Sequence, residues 1–328
     1  MLERNELLRS ASAARGFSTS RGTPRRIDRQ RMTAVLNRGC SHREQVGGNV
    51  PSLVDYLARA HAHANREEWT ARVAAGEVDV DGRLAHEDQP LRVGQCVTWH
   101  RPPWEEPPAP LRFDVIHEDE TLLVVNKPAG LPTLPGGGFQ DHTLLTLLQQ
   151  RDPAWAPAHR LGRGTSGLVA CARTAEAKAR LSQAFRHREI EKRYVALASG
   201  HLEPQTILVP IGPVAHPKLG MLHAVSLSGR PSETVVERVQ PWGEDSLAAL
   251  LLVTGRPHQI RIHLAAVGHP LVGDPLYAAG GQPNPDATPG ELGYRLHAWR
   301  LKLLHPTSGE VLDLEAPVPP GLLPSVGT

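Results

Sequence analysis

Cysteine is almost absent from this chain: Cys40, Cys96 and Cys171 are the only three in 328 residues, and no C-x-x-C pair joins any of them. That spacing excludes a disulfide framework and a thiolate zinc site, and it fits a reducing, cytoplasmic setting. Long apolar runs are also missing. No stretch approaches the roughly 18 residues that span a bilayer, and no signal-peptide core precedes a cleavage-like site. Excess charge is lacking as well: 36 Lys and Arg stand against 34 Asp and Glu, so bulk electrostatics alone do not point to nucleic acid. Gly136, Gly137 and Gly138 do not make a phosphate loop, because the G-x-x-x-x-G-K-[ST] spacing is absent; they read instead as a loop able to fold over a substrate.

What is present is unevenly placed. Residues 1–48 carry ten arginines against Glu3, Glu6, Asp28 and Glu44, which leaves the rest slightly acidic. This stretch lacks hydrophobic periodicity and reads as a flexible basic arm, or as an extension ahead of an initiator at Met32. Its acidic residues and lack of a clean amphipathic period argue against a transit peptide. From residue 49 to 100 the pattern changes: Leu53, Val54, Leu57 and Ala58 recur at helical spacing, Trp69, Arg72 and Val73 suggest a second helix, and Val78 and Val80 alternate before an Asp81-Gly82 turn. Two helices followed by V-x-V-D-G and L-x-x-G-Q-x-V resemble the small S-four-type RNA-binding domain; an ordinary α+β cap is the alternative. In the RNA reading Arg59, Arg66, Arg72 and Arg83 contact phosphates. Residues 101–110 are a Pro-rich linker, residues 111–318 a catalytic-type domain opening on two strands, and residues 319–328 a tail.

The larger domain carries a string of motifs: VVNKPAGL (124–131), HRLGRGTSGL (159–168), KRYVALASG (192–200), ILVPIG (207–212), GRPHQIRIHLAAVGHPLVGDPLY (255–277) and LHAWRLKLLHP (296–306). In order and spacing they resemble the RluA-type RNA pseudouridine synthases. The resemblance implies an α+β fold, with a mixed, largely antiparallel sheet around a central RNA cleft. It implies no cofactor, no metal, structured ribosomal or transfer RNA as partner, and a monomer. It also exposes a departure, since the family motif reads HRLD and this chain has Gly162 at the position of the catalytic aspartate.

The remaining site residues are implied in the same way. Arg160, beside Arg163, falls where the family places an arginine that enters the stack in place of a flipped base; a surface ion pair is the plain alternative. Tyr194 falls on the tyrosine that stacks on uracil, or is core filler. Arg261 matches the arginine that pairs with the missing aspartate. An unpaired buried guanidinium costs several kcal/mol, so another carboxylate reaches it, the pocket is wet, or an anion is awaited. Asp141 and Asp152 are candidates for that carboxylate, whereas Asp274 stands where the family pattern itself has an acid and reads as structural. Gly162 and Gly164 permit positive φ, so their loop is free to trace an unusual path. His159, His258 and His263 read as loop hydrogen-bonders rather than metal ligands. Two functions follow. One is a pseudouridine synthase with Gly162 in the nucleophile's place; the other is a catalytically inactive RNA-binding or ribosome-assembly factor, given that losing a nucleophile removes on the order of 8 kcal/mol of transition-state stabilisation.

Overall fold

In the computed structural model, which describes residues 25–28, 36–61, 63–87, 89–287 and 292–322, the chain divides into a smaller unit, residues 36–107, and a larger one, residues 25–28 with 108–322. Strand β1 (Arg25–Asp28) belongs to the larger unit. The smaller one runs β2 (Cys40–Gln45), α1 (Leu53–Ala60), α2 (Arg66–Ala74), β3 (Val78–Val80), β4 (Arg83–Leu84) and β5 (Cys96–Arg101).

Capping explains where the two helices of the smaller unit begin. Ser52 accepts from the Asp55 N–H and starts α1, and a reciprocal box between Asn65 and Glu68 starts α2. Leu53, Val54 and Leu57 on the first helix and Trp69 and Val73 on the second are buried in one core with Val78, Val80 and Trp99. The strands pair in the order β2-β5-β3-β4, antiparallel throughout. Asp81 and Gly82 both take positive φ, 54° and 75°, as a two-residue hairpin turn requires.

Three expectations change here. Residues 1–48 are not all arm: Arg25–Asp28 pairs with the larger sheet, Leu36 bridges Glu105 and Cys40–Gln45 is a strand, while residues 1–24 and 29–35 lie outside the described residues. The sequence Cys-Ser-His-Arg-Glu-Gln hides its strand because β2 lies at a sheet edge with most side chains in solvent, so it needs no apolar alternation. The Pro-rich stretch is divided, since Asn37 holds Trp104 and Glu106 by hydrogen bonds of 3.1 and 2.8 Å. Arg72 is half-buried with its guanidinium 4.7 Å from the ring centres of Trp69 and Trp99, engaged in cation–π packing instead of being held out to phosphate. Arg59, Arg66 and Arg83 are exposed, with Arg66 ion-paired to Asp55.

The larger unit continues with β6 (Arg112–Glu118), β7 (Leu122–Lys127), α3 (Leu144–Arg151), β8 (Ala156–Pro157), β9 (Ser166–Ala172), α4 (Ala175–His187), β10 (Glu191–Ala198), β11 (Gln205–Ile207), β12 (Ile211–His216) and β13 (Gly220–Val225). It closes with β14 (Thr234–Trp242), β15 (Asp245–Leu252), α5 (Gln259–Ala266), β16 (Leu296–Leu304), β17 (Val311–Glu315) and a 3-10 turn at Pro320–Leu322. Its main sheet runs β1-β6-β7-β9-β16-β10-β15-β14-β11, with β17 on β16 and β8 on β9. Every pairing is antiparallel except β9 with β16, so the fold is a mixed, largely antiparallel α+β sheet. Strand β9 is buried at all seven residues, as suits a central strand covered on both faces. Gly167 makes its approach to β16 possible: φ is 113°, and a Cβ there would fall 2.2 Å from the Ala298 carbonyl oxygen. The loop 159–165 therefore enters the middle of the sheet.

Candidate active site: the cleft around Gly162

Two loops are clasped together by a buried lysine. Lys127 ends β7 with no exposed surface, and its Nζ donates to the carbonyls of Pro128 and Leu131 at 2.9 and 2.8 Å and, at 3.4 Å, to that of Arg163. Burial pushes its pKa down to about 7, while the three acceptors favour the ammonium form. Gly130 N–H also donates to the Arg163 carbonyl, and Thr133 Oγ1 bonds both N–H and C=O of Leu161. The sequence reading missed this strut, although Lys127 lies inside one of the quoted motifs.

The clasped loop forms one wall of a cleft of about 1020 Å³. Gly162 faces it without a side chain, and Arg160 stands exposed at its edge with no ion pair among the described residues. Arg163 lies across the Phe139 ring at 4.8 Å, which ties the 135–139 loop to the motif. Tyr194 comes from β10, where the pairing with β16 skips one residue, Arg193 to Arg300 and then Tyr194 to Ala298. Such a bulge re-aims a side chain, here onto the cleft lining. Burial pushes the Tyr194 hydroxyl pKa up.

Arg261 has its counter-ion. It projects from α5 and forms a bidentate pair with Asp274, Nε to Oδ2 at 2.7 Å and Nη2 to Oδ1 at 2.5 Å. Burial pulls the guanidinium pKa down, but the Asp274 bonds outweigh it and the net shift is upward. Asp274 is completely buried and also accepts from the N–H groups of Leu276 and Tyr277. Asp152 instead pairs with Arg173 at 2.7 Å, and neither it nor Asp141 lines the cleft. The acid read as structural is thus the one that answers Arg261.

Gly162 and Gly164 do not use positive φ. They are small for a different reason: the Tyr294 ring occupies the space above both, its hydroxyl 3.2 Å from Thr165 Oγ1 and its ring 4.2 Å below the Arg261 guanidinium carbon. Gly273 and Gly293 let the two segments touch, since a Cβ on Gly273 would meet the Gly293 carbonyl at 2.7 Å; this sets Asp274 and Tyr294 side by side.

The cleft is strongly cationic. To Arg160, Arg163 and Arg261 the structure adds Arg186 and Arg188 from the end of α4, Lys192 from β10 and Arg256 from the loop before α5, none singled out from sequence because these segments meet only in the fold; no carboxylate is among the lining residues described. His159 accepts from the Ala170 N–H and is pushed down to about 3 by burial and Lys192, while His258 bonds the Tyr277 hydroxyl and His263 the Val209 carbonyl.

A family model described as RNA pseudouridylate synthase matches residues 121–266, which include the Gly162 loop, Tyr194 and Arg261. An uncharacterized RNA pseudouridine synthase of Synechocystis is 38% identical over 84% of this chain and 97% of its own length. The chain belongs to the RluA-type RNA pseudouridine synthase family. RNA pseudouridine synthase 5 of Oryza sativa is also 38% identical, over 83% of this chain and 84% of that protein. The solved structure of human RNA pseudouridylate synthase domain containing 1 covers 66% of this chain and 89% of its own, with a TM-score of 0.50 and 30% identity. No helix of the described residues is long and apolar enough to cross a membrane.

Proposed function

We propose that this protein isomerises uridine to pseudouridine in structured ribosomal or transfer RNA, with the target nucleotide flipped into the cleft around Gly162. One observation carries the reading: three motifs far apart in sequence bring Arg160, Tyr194 and Arg261 to a single cleft ringed by cations, with no acid among its described lining residues. A volume of about 1020 Å³ suffices for a nucleotide with its flanking phosphates. Arg160 enters the stack as the base leaves it, offsetting part of an unstacking cost of a few kcal/mol. Tyr194 stacks on the uracil, an interaction worth about 1–3 kcal/mol, and the Arg261–Asp274 pair fixes the floor. Isomerisation exchanges a C–N for a C–C bond with no redox step, so neither cofactor nor metal is called for. The smaller unit serves as an S-four-type RNA-binding module through Arg59, Arg66 and Arg83. We place the protein, as a monomer, in the cytoplasm.

A second reading has its own support. The described lining residues include no carboxylate and the Asp274 side chain is sealed behind Arg261, so the same cleft suits an RNA-binding factor that does not turn over. The test is incubation of wild-type protein with modification-free transcripts, followed by pseudouridine mapping through carbodiimide-dependent reverse-transcription stops. New stops, lost in Arg261→Ala, support the synthase. Tight RNA binding without stops sinks it in favour of the second reading.

A further inference from the structure

Resting on the synthase reading, we propose that the Tyr294 hydroxyl is the nucleophile of this chain, capturing the target ribose where Gly162 offers no side chain. Space is the first argument. A Cβ on Gly162 would lie 3.1 Å from Tyr294 Oη, and one on Gly164 would lie 2.7 and 2.8 Å from Cε1 and Cζ of the ring. Neither glycine takes positive φ, so it is the tyrosine and not the backbone that excludes a side chain at 164 and crowds one at 162. The phenol therefore fills the volume into which a longer side chain at 162 would project.

Charge and hydrogen bonding are the second argument. The Arg261 guanidinium lies 4.2 Å over the ring and holds it in place by cation–π packing. Thr165 Oγ1, at 3.2 Å, is able to donate to that oxygen or accept from it. The lack of a competing carboxylate is the third. Among the described lining residues no carboxylate competes, Asp274 is fully buried with its oxygens bonded, and the Tyr277 hydroxyl is already donated to the His223 carbonyl at 2.6 Å.

The step closes in atoms and electrons. Tyr294 Oη bonds to C1′ of the ribose as the C1′–N1 bond breaks, and the phenol proton passes to N1 of the departing uracil. The uracil turns, C5 bonds to C1′ as the C1′–Oη bond breaks, and the proton on C5 returns to Oη. The base has gained N1–H and lost C5–H, the phenol is regenerated, and no co-reactant is consumed. Tyrosine is among the side chains that form covalent enzyme intermediates.

Tyr294→Phe keeps the ring over Gly162 and Gly164 and removes the nucleophile. Single-turnover pseudouridine formation on modification-free ribosomal and transfer RNA transcripts is measured together with filter-binding affinity and melting temperature. The expected result is a rate loss of several orders of magnitude, up to about a million-fold, the scale of a missing nucleophile, with affinity within about twofold, a shift of under 0.5 kcal/mol. Thr165→Val, which removes the partner of the hydroxyl, is expected to slow the reaction less and to leave affinity in place. Full activity of Tyr294→Phe beside an active wild type overturns the nucleophile and leaves the synthase standing. A wild type that binds these RNAs but forms no pseudouridine overturns both.

Discussion

At the residue scale the decisive group is a side chain the sequence does not advertise. Gly162 is legible as an absence, because the motif around it is otherwise complete. Tyr294 is not legible, since it lies 129 residues beyond the Thr165 it touches and nothing local marks it. The Arg261–Asp274 pair was within reach, both being inside one quoted motif, but a turn with buried Asp274 at its corner is what folds them together. Size matching between the glycines and Tyr294 makes a sharp prediction. Gly164→Ala drives a methyl into the ring and should cost about 1–3 kcal/mol, as overpacking does, in urea denaturation. In a Tyr294→Ala background most of that cost should vanish; an additive double-mutant cycle would show that the two do not share the space. Lys127→Met leaves the Pro128 and Leu131 carbonyls without their donor. A loss of about 1–3 kcal/mol for each buried orphan is expected, again read from the urea midpoint, and an unchanged midpoint would remove the strut.

At the element scale, legibility follows burial. Strand β7 announces itself by an unbroken Leu-Leu-Val-Val run, and the helices α1, α2 and α3 by apolar residues that recur with the helical period. Edge strand β2 does not, and neither does the bulge that presents Tyr194, because a one-residue slip in pairing leaves no mark on composition. The turns after β6 and β16 are joined in a way no local pattern shows. Asp119 Oδ2 is held by His117 and His305 at 2.8 and 2.9 Å, and Oδ1 accepts from the Thr121 and Leu122 N–H groups. His305 Nδ1 accepts from Ser308 N–H, so its Nε2 carries the proton that bonds Asp119, and the group reads as a hydrogen-bonded clasp. Burial pushes the Asp119 carboxyl pKa upward, but the backbone bonds from Thr121 and Leu122, with His117 and His305, outweigh it and hold it well below its ordinary value. A carboxyl depressed on folding contributes stability above its unfolded pKa of about 3.9, and that contribution is lost as pH falls through and below that value. Urea midpoints should therefore drop more steeply below about pH 4 in wild type than in Asp119→Asn. Parallel profiles would contradict the assignment.

At the scale of the whole molecule, near-neutral net charge coexists with a cleft of seven cations, so electrostatics act locally. RNA affinity should fall with salt, the slope of log K against log salt changing by about 0.9 for each phosphate contact in a duplex. Removing residues 1–24 deletes Arg4, Arg9, Arg15 and Arg21 without cutting β1 or β2. A shallower slope after that truncation is expected if the arm touches phosphate, and an identical slope would take the arm out of the interface. Fold class and family were legible because many motifs agreed; the lack of acids among the described lining residues was not, because it is a property of surfaces that meet only in three dimensions. A pseudouridine synthase cleft with no carboxylate among its described lining residues is expected to turn over. Nucleoside mass analysis of modification-free RNA after incubation with the wild-type protein tests it most directly. Pseudouridine accumulating with time and enzyme is the predicted result, and bound RNA whose uridines all remain unchanged would contradict it.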